Sequence, residues 1–162
     1  MYETRYQSRF NARCWMLGAG TLGRPRGMVW GGRREEGLGW GEGTLELALV
    51  PDDFKIACLG ATKDTNNVLV EDSTKANAPF ALLCEFTGDD KARKFVFYNC
   101  MASRPDVASQ TKGESIEVQT ETLNLTIRPN ADGIVKAETG DTTGTAVLEG
   151  WYNSVYTSTG SN

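Results

Sequence analysis

The chain contains no histidine. That removes the side chain most used as a general base near neutral pH and the commonest transition-metal ligand, and it excludes Ser-His and Cys-His catalysis within this chain. The four cysteines, Cys14, Cys58, Cys84 and Cys100, include no C-x-x-C pair, so neither a zinc site nor a dithiol redox centre has the spacing it needs. They read as buried thiols, and neither metal nor cofactor is expected. Proline is scarce, five residues in 162, whereas glycine reaches 18, a balance that suggests many turns rather than a proline-rich linker or collagen. Long apolar runs are missing too. The longest, Phe80 to Cys84, has the length of a strand and falls far short of the ~20 residues that cross a bilayer as a helix. Arg5, Arg9 and Arg13 precede only Cys14-Trp15-Met16-Leu17, too little for the apolar centre of a signal peptide, so synthesis in a cytoplasm without export by that route is expected.

What is present points to one soluble-type domain. Hydrophobic residues make up 40% and charged residues 23%, close to globular averages, in a chain long enough for one sizeable core. The net charge of -4 is unevenly spread. Residues 1–40 carry seven Arg against three Glu, with eight of the glycines, three of the four Trp, and no Lys, Asp or Ile. This stretch has neither a 3.6 nor a 2.0 hydrophobic period and reads as an irregular Arg/Gly/Trp-rich arm. Guanine-rich codons read in the wrong frame, giving a non-native start, would yield the same Arg, Gly and Trp excess. The remaining residues hold ten basic and eighteen acidic groups.

From residue 41 the pattern turns regular. Thr44 to Leu49 alternates, placing Leu45, Leu47 and Leu49 on one face of a strand, and Pro51 to Leu59 reads as a short helix with Asp52 and Asp53 in its first turn and Gly60 as its left-handed stop. Residues 61–78 read mostly as loop, with Val68-Leu69-Val70 a brief strand. A hairpin follows: Phe80, Leu82, Cys84 and Phe86 alternate on one arm, and Phe95, Phe97, Asn99 and Met101 on the other. Both arms carry apolar residues on both faces, which suits central strands covered on each side by a second layer or another subunit. A long strand is expected over residues 115–128. Its apolar phase changes near Glu121, from Ile116 and Val118 to Leu123, Leu125 and Ile127, which implies a bulge or a change of sheet. Asn130 to Gly133 is a turn and Ile134 to Glu138 a returning strand. Leu148, Trp151, Tyr152 and Val155 then follow helical spacing, with Asp141 or Thr142 as N-cap, before a frayed tail at 157–162. The fold class expected is mainly β with minor α: an antiparallel β-sandwich or partial barrel with a flanking C-terminal helix.

Motifs for chemistry are weak. Gly18-Ala19-Gly20-Thr21-Leu22-Gly23 matches the dinucleotide fingerprint in letters, but Arg24-Pro25-Arg26-Gly27 follows where the motif requires a helix N-terminus. Asp52 and Asp53 are ordinary helix-start acids, and the sequon Asn124-Leu125-Thr126 falls inside a predicted strand. No enzyme activity is expected. Glu117, Gln119 and Glu121 form a polar row that reads either as the wet face of a sheet or as an acidic wall that does not hold a polyanion.

At Thr111 to Thr126 (TKGESIEVQTETLNLT) the chain resembles the major tail proteins of long-tailed bacteriophages, of the phi13 type. The resemblance extends over residues 41–156. It takes in Gly41-Glu42-Gly43-Thr44-Leu45, the helix ending Leu59-Gly60, the Phe80-to-Met101 hairpin, Ile134-Val135-Lys136-Ala137 and Trp151-Tyr152, in that family's order. Residues 1–40 do not resemble the family's usual start. The resemblance implies a virion structural protein, a tail-tube β domain whose six-membered rings stack into a hollow conduit for DNA ejection. Implied partners are further copies of itself, a tape-measure protein, a tail terminator, tail-tip proteins and passing DNA, with no membrane. If each of six subunits lent four strands, 24 strands spaced ~4.8 Å and tilted ~40° would close a barrel about 50 Å across. On that reading Glu117, Gln119 and Glu121 line the lumen, and Phe80, Leu82, Phe86, Phe95, Phe97 and Met101 are buried between subunits. The alternative is a monomeric β-sandwich that binds cell wall or carbohydrate from a virion surface.

Overall fold

The computed structural model describes residues 11–18, 21–23, 26–34, 41–87, 93–105 and 120–160, with backbone alone at 11–18, 21–23, 26–34, 48, 86 and 87. Among these residues the protein is mainly antiparallel β-sheet with two short helices. The chain order is β1 (Asn11–Gly18), β2 (Thr21–Gly23), β3 (Arg26–Arg34), β4 (Gly41–Leu49), α1 (Asp52–Cys58), β5 (Ala61–Lys63), β6 (Leu69–Glu71), β7 (Phe80–Thr87), β8 (Arg93–Ala102), β9 (Glu121–Arg128), β10 (Lys136–Glu138) and α2 (Thr145–Gly150). The main sheet runs β2-β1-β7-β8-β9-β4-β3, with β10 pairing the first half of β8, and it is not closed. β5 and β6 form a separate hairpin.

The first three strands correct the reading of residues 1–40 as an irregular arm. β1 pairs with β7 over Asn11 to Leu17, and β3 pairs with β4 over Arg26 to Arg34, so two segments without a hydrophobic period are extended by long-range ladders. Strand formation here follows from available edges, not from local pattern. The dinucleotide-like run falls on the β1–β2 hairpin, where Gly18 pairs with Thr21. It connects strand to strand, whereas the fingerprint requires strand to helix.

Period-2 alternation decides the first core. Leu45 and Leu47 of β4, Leu123, Leu125 and Ile127 of β9, and Phe80, Leu82 and Cys84 of β7 point one way and bury against Phe54, Cys58 and Leu59. Phe54 meets Phe80 edge to face at 5.0 Å. Leu49, expected beside Leu45 and Leu47, is 62% exposed. The β4–β9 ladder ends at Leu47, the chain turns toward α1, and the fully buried Val50 takes the place in the core.

The two-sided hairpin has a two-sided explanation within one chain. Phe80, Leu82 and Cys84 of β7 enter the first core, while Ala81 and Leu83 form a second cluster with Val96 and Trp151. β8 keeps pace with both through an irregularity: Leu82 faces Phe97 but Phe80 faces Cys100, so one extra residue lies on β8. Phe97 and Cys100 thereby reach the same face despite opposite parity. Phe80 and Leu82 are buried inside the chain, and Phe97 packs against the first core. Their apolar character therefore needs no subunit interface. Phe95 and Met101 are half-buried, Phe95 beneath Lys136 Nζ at 5.4 Å, and the side chain of Phe86 lies outside the described residues.

Two further segments depart from expectation, although the brief strand expected at Val68-Leu69-Val70 is present as β6. The segment 61–78 holds a hairpin, β5–β6, turned by Asp64, whose Oδ1 accepts from Asn66 N and Val68 N at 2.8 Å each. Arg104 then pins the strand-to-helix corner by donating to the carbonyls of Leu59, Asp72 and Lys75 at 3.3, 2.9 and 3.2 Å. α2 starts at Thr145 after Gly144, later than an N-cap at Asp141 or Thr142. Those two residues occupy a tight turn closed by Thr143, whose N–H donates to Gly140 O and whose Oγ1 accepts from Gly140 N.

The cysteines are not four equivalent thiols. Cys84 is disulfide-bonded, which corrects the expectation, while Cys58 and Cys100 are free and buried. Burial pushes the Cys58 thiol up to about 11 and the Cys100 thiol up to about 12. At pH 8 the thiolate fraction at Cys58 is therefore on the order of one in a thousand. Alkylation of native protein at pH 8 should leave both unmodified, and denaturant should expose both; rapid native labelling of either would contradict their burial.

Candidate functional site

The side of β4 and β9 that faces away from the core carries a continuous polar row. Register sets it: Glu42 is opposite Thr126, Thr44 opposite Asn124 and Glu46 opposite Thr122. Glu42, Thr44, Thr122, Asn124 and Arg128 are exposed, and Glu46 and Thr126 half-buried. β8 continues the surface where Met101 faces Thr126 and Asn99 faces Arg128. Over this face lies an open groove of about 700 Å³ lined by Glu42, Thr44, Ser103, Asn124, Thr126 and Arg128, among others. Thr120 Oγ1 donates to Glu46 Oε1, and Asn99 Nδ2 donates to Pro129 O at 3.0 Å, so parts of the row are held in place by the chain itself.

Chemically the face is a set of hydroxyls, an amide, two carboxylates and one guanidinium. Among the described side chains it has no aromatic platform for a sugar ring. Among the described residues no group of three potential metal ligands exists. Nothing in the row pairs a nucleophile with a base in the manner of covalent catalysis.

The sequence-predicted row maps only in part. Glu117 and Gln119 lie outside the described residues. Glu121 has the parity of Leu123 and Leu125, so its carboxylate turns to the α1 end of the core and away from the polar row. It accepts from Val50 N and from Lys55 Nζ, the latter at 3.2 Å, and so ties the start of β9 to α1. From Glu121 onward the strand keeps one phase, and the open face of β9 belongs to Thr122, Asn124, Thr126 and Arg128. Those even-numbered polar positions were legible as the alternates of Leu123, Leu125 and Ile127. Their partners Glu42, Thr44 and Glu46 were likewise legible as the alternates of Leu45 and Leu47. Only the pairing of β4 with β9 unites the two sets, and period-2 patterns do not specify which strands pair.

Among the described residues no helix is long and apolar enough to cross a membrane, which leaves β-barrel spanning unaddressed. No family model matches the chain, and neither a curated protein nor a solved structure is significantly similar to it.

Proposed function

We propose that this chain is a structural tube protein of a long-tailed bacteriophage tail, acting by self-assembly into rings that stack around a DNA channel. The ordered resemblance over residues 41–156 suggests it, and one structural observation carries it further. The antiparallel sheet is open, and among the described residues no strand ladder forms on the outer side of β3, a nine-residue border strand that β1 approaches without pairing. An unpaired border of that length presents a row of backbone donors and acceptors and tends to recruit another strand. Head-to-tail joining of such borders gives a ring when the rotation closes.

In this reading the channel wall includes the β4–β9 polar row, which takes the place of Glu121, whose carboxylate is turned to Val50 and Lys55. Among the residues whose side chains are described, Glu42 and Glu46 outnumber Arg128, and the hydroxyl and amide groups between them offer phosphates no cluster of cations. A wall of that kind lets a duplex pass, because phosphate affinity comes from Lys and Arg. The groove over Ser103 and Asn124 favours the second reading, a monomeric binding module displayed on a virion. Sedimentation velocity across a hundredfold concentration range separates them. The tube reading expects a hexamer or larger species that grows with concentration; a single monomeric boundary throughout contradicts it and favours the module.

A further inference from the structure

The second apolar cluster is built from one side only. Ala81, Leu83 and Val96 on the central hairpin are covered by Trp151, with Val147, Tyr152, Val155 and Tyr156 around it, and all five covering residues come from a short C-terminal segment. That segment is weakly defined as a helix. α2 has six residues, its N-cap Gly144 makes no side-chain cap bond, and Gly150 ends it. Helices this short are not stable without docking.

Docking rests on a small polar latch. Lys94 Nζ donates to Leu148 O at 2.7 Å and lies 4.8 Å from the centre of the Tyr152 ring, while Tyr152 Oη donates to Glu85 Oε2 at 2.7 Å. Lys94 and Glu85 are themselves 4.0 Å apart with side chains 17% and 14% exposed. Against these gains stand two losses: Tyr98 Oη and Trp151 Nε1 are buried without a hydrogen-bond partner. A buried donor without an acceptor forfeits its hydration uncompensated. The sheet beneath has no such debt to the lid, since β7 and β8 are paired on both sides and β9 is buried in the other core.

We propose that residues 145–156 form a lid that opens as a unit without unfolding the sheet, released when the Lys94–Glu85–Tyr152 latch parts, and that opening uncovers an apolar strip of Ala81, Leu83 and Val96. The strip is then a conditional surface, hidden in the closed chain and presented in the open one. This does not depend on tube assembly, and the whole 162-residue chain tests it in whatever assembly state it adopts.

Hydrogen exchange read by mass spectrometry tests it. Peptides carrying the hydrogen-bonded amides of Val147, Leu148 and Asn153 should exchange at least about tenfold faster than peptides of β9, with little dependence on low denaturant, as local opening requires. Lys94→Met should accelerate the lid by a further factor of about ten and leave β9 unmoved. Tyr152→Phe keeps the ring and removes only the bond to Glu85, so a lid acceleration of about threefold is expected should Lys94→Met not fold. Lid and β9 exchanging at one common rate, or latch variants that shift both together or neither, would overturn the proposal.

Discussion

Replacing Leu82 by alanine should remove about 2–5 kcal/mol of folding stability, because it empties a fully buried site on a central strand. For a chain of this size that corresponds to a fall of roughly 5–15 °C in the unfolding midpoint. Leu82 touches the first core on its α1 side while its neighbours Ala81 and Leu83 enter the second, so the site has little freedom to collapse. Leu49→Ala is the matched control. With Leu49 62% exposed, its loss should change stability by no more than about 0.5 kcal/mol. Calorimetry of the two variants decides the matter: similar losses at both positions would contradict the assignment of the inward phase of β4 and β7.

The second large effect concerns the polar row. Thr44→Lys combined with Asn124→Lys puts two cations on directly paired positions of the exposed face. Since neither position is in the core, the fold should tolerate both. In a tube the change is repeated around every ring, and each lysine that reaches a phosphate adds about 0.9 to the salt slope of binding. Assembled wild-type protein should release short duplex DNA at 50 mM salt. The variant should retain it and release it only above roughly 300 mM, as counterion release predicts. Co-sedimentation at increasing salt provides the readout. Equal retention by both proteins would place the β4–β9 face away from the channel.

Legibility in the sequence followed the physical period. Leu45 and Leu47, the Phe80-to-Cys84 alternation and Leu123 to Ile127 declared their inward faces because each strand buries every second residue. The α1 stop was equally plain: Gly60 has φ of +73°, and a Cβ there would come within 3.0 Å of Lys75 Cβ. β1 and β3 were hidden for the opposite reason, since their extended state comes from pairing with β7 and β4 and leaves no mark in a glycine- and arginine-rich run. The extra residue in β8 is invisible too, because Val96 to Cys100 is apolar at several parities and the irregularity appears only once Leu82 and Phe80 choose their partners. The start of α2 was misplaced because Asp141 and Thr142 have cap chemistry but are used in a turn. In the polar site, the residues were readable and their union was not. It required the register of β4 against β9, and it moved the candidate channel wall from Glu121 to its even-numbered neighbours.

The proposed tube requires the border strand β3 of one copy to join the sheet of the next. Negative-stain electron microscopy of purified protein at high concentration tests this most directly. Hollow six-fold rings in end view, or tubes with an inner barrel about 50 Å across its backbone, are the predicted result. A field of separate compact particles, unchanged on concentration, would contradict it.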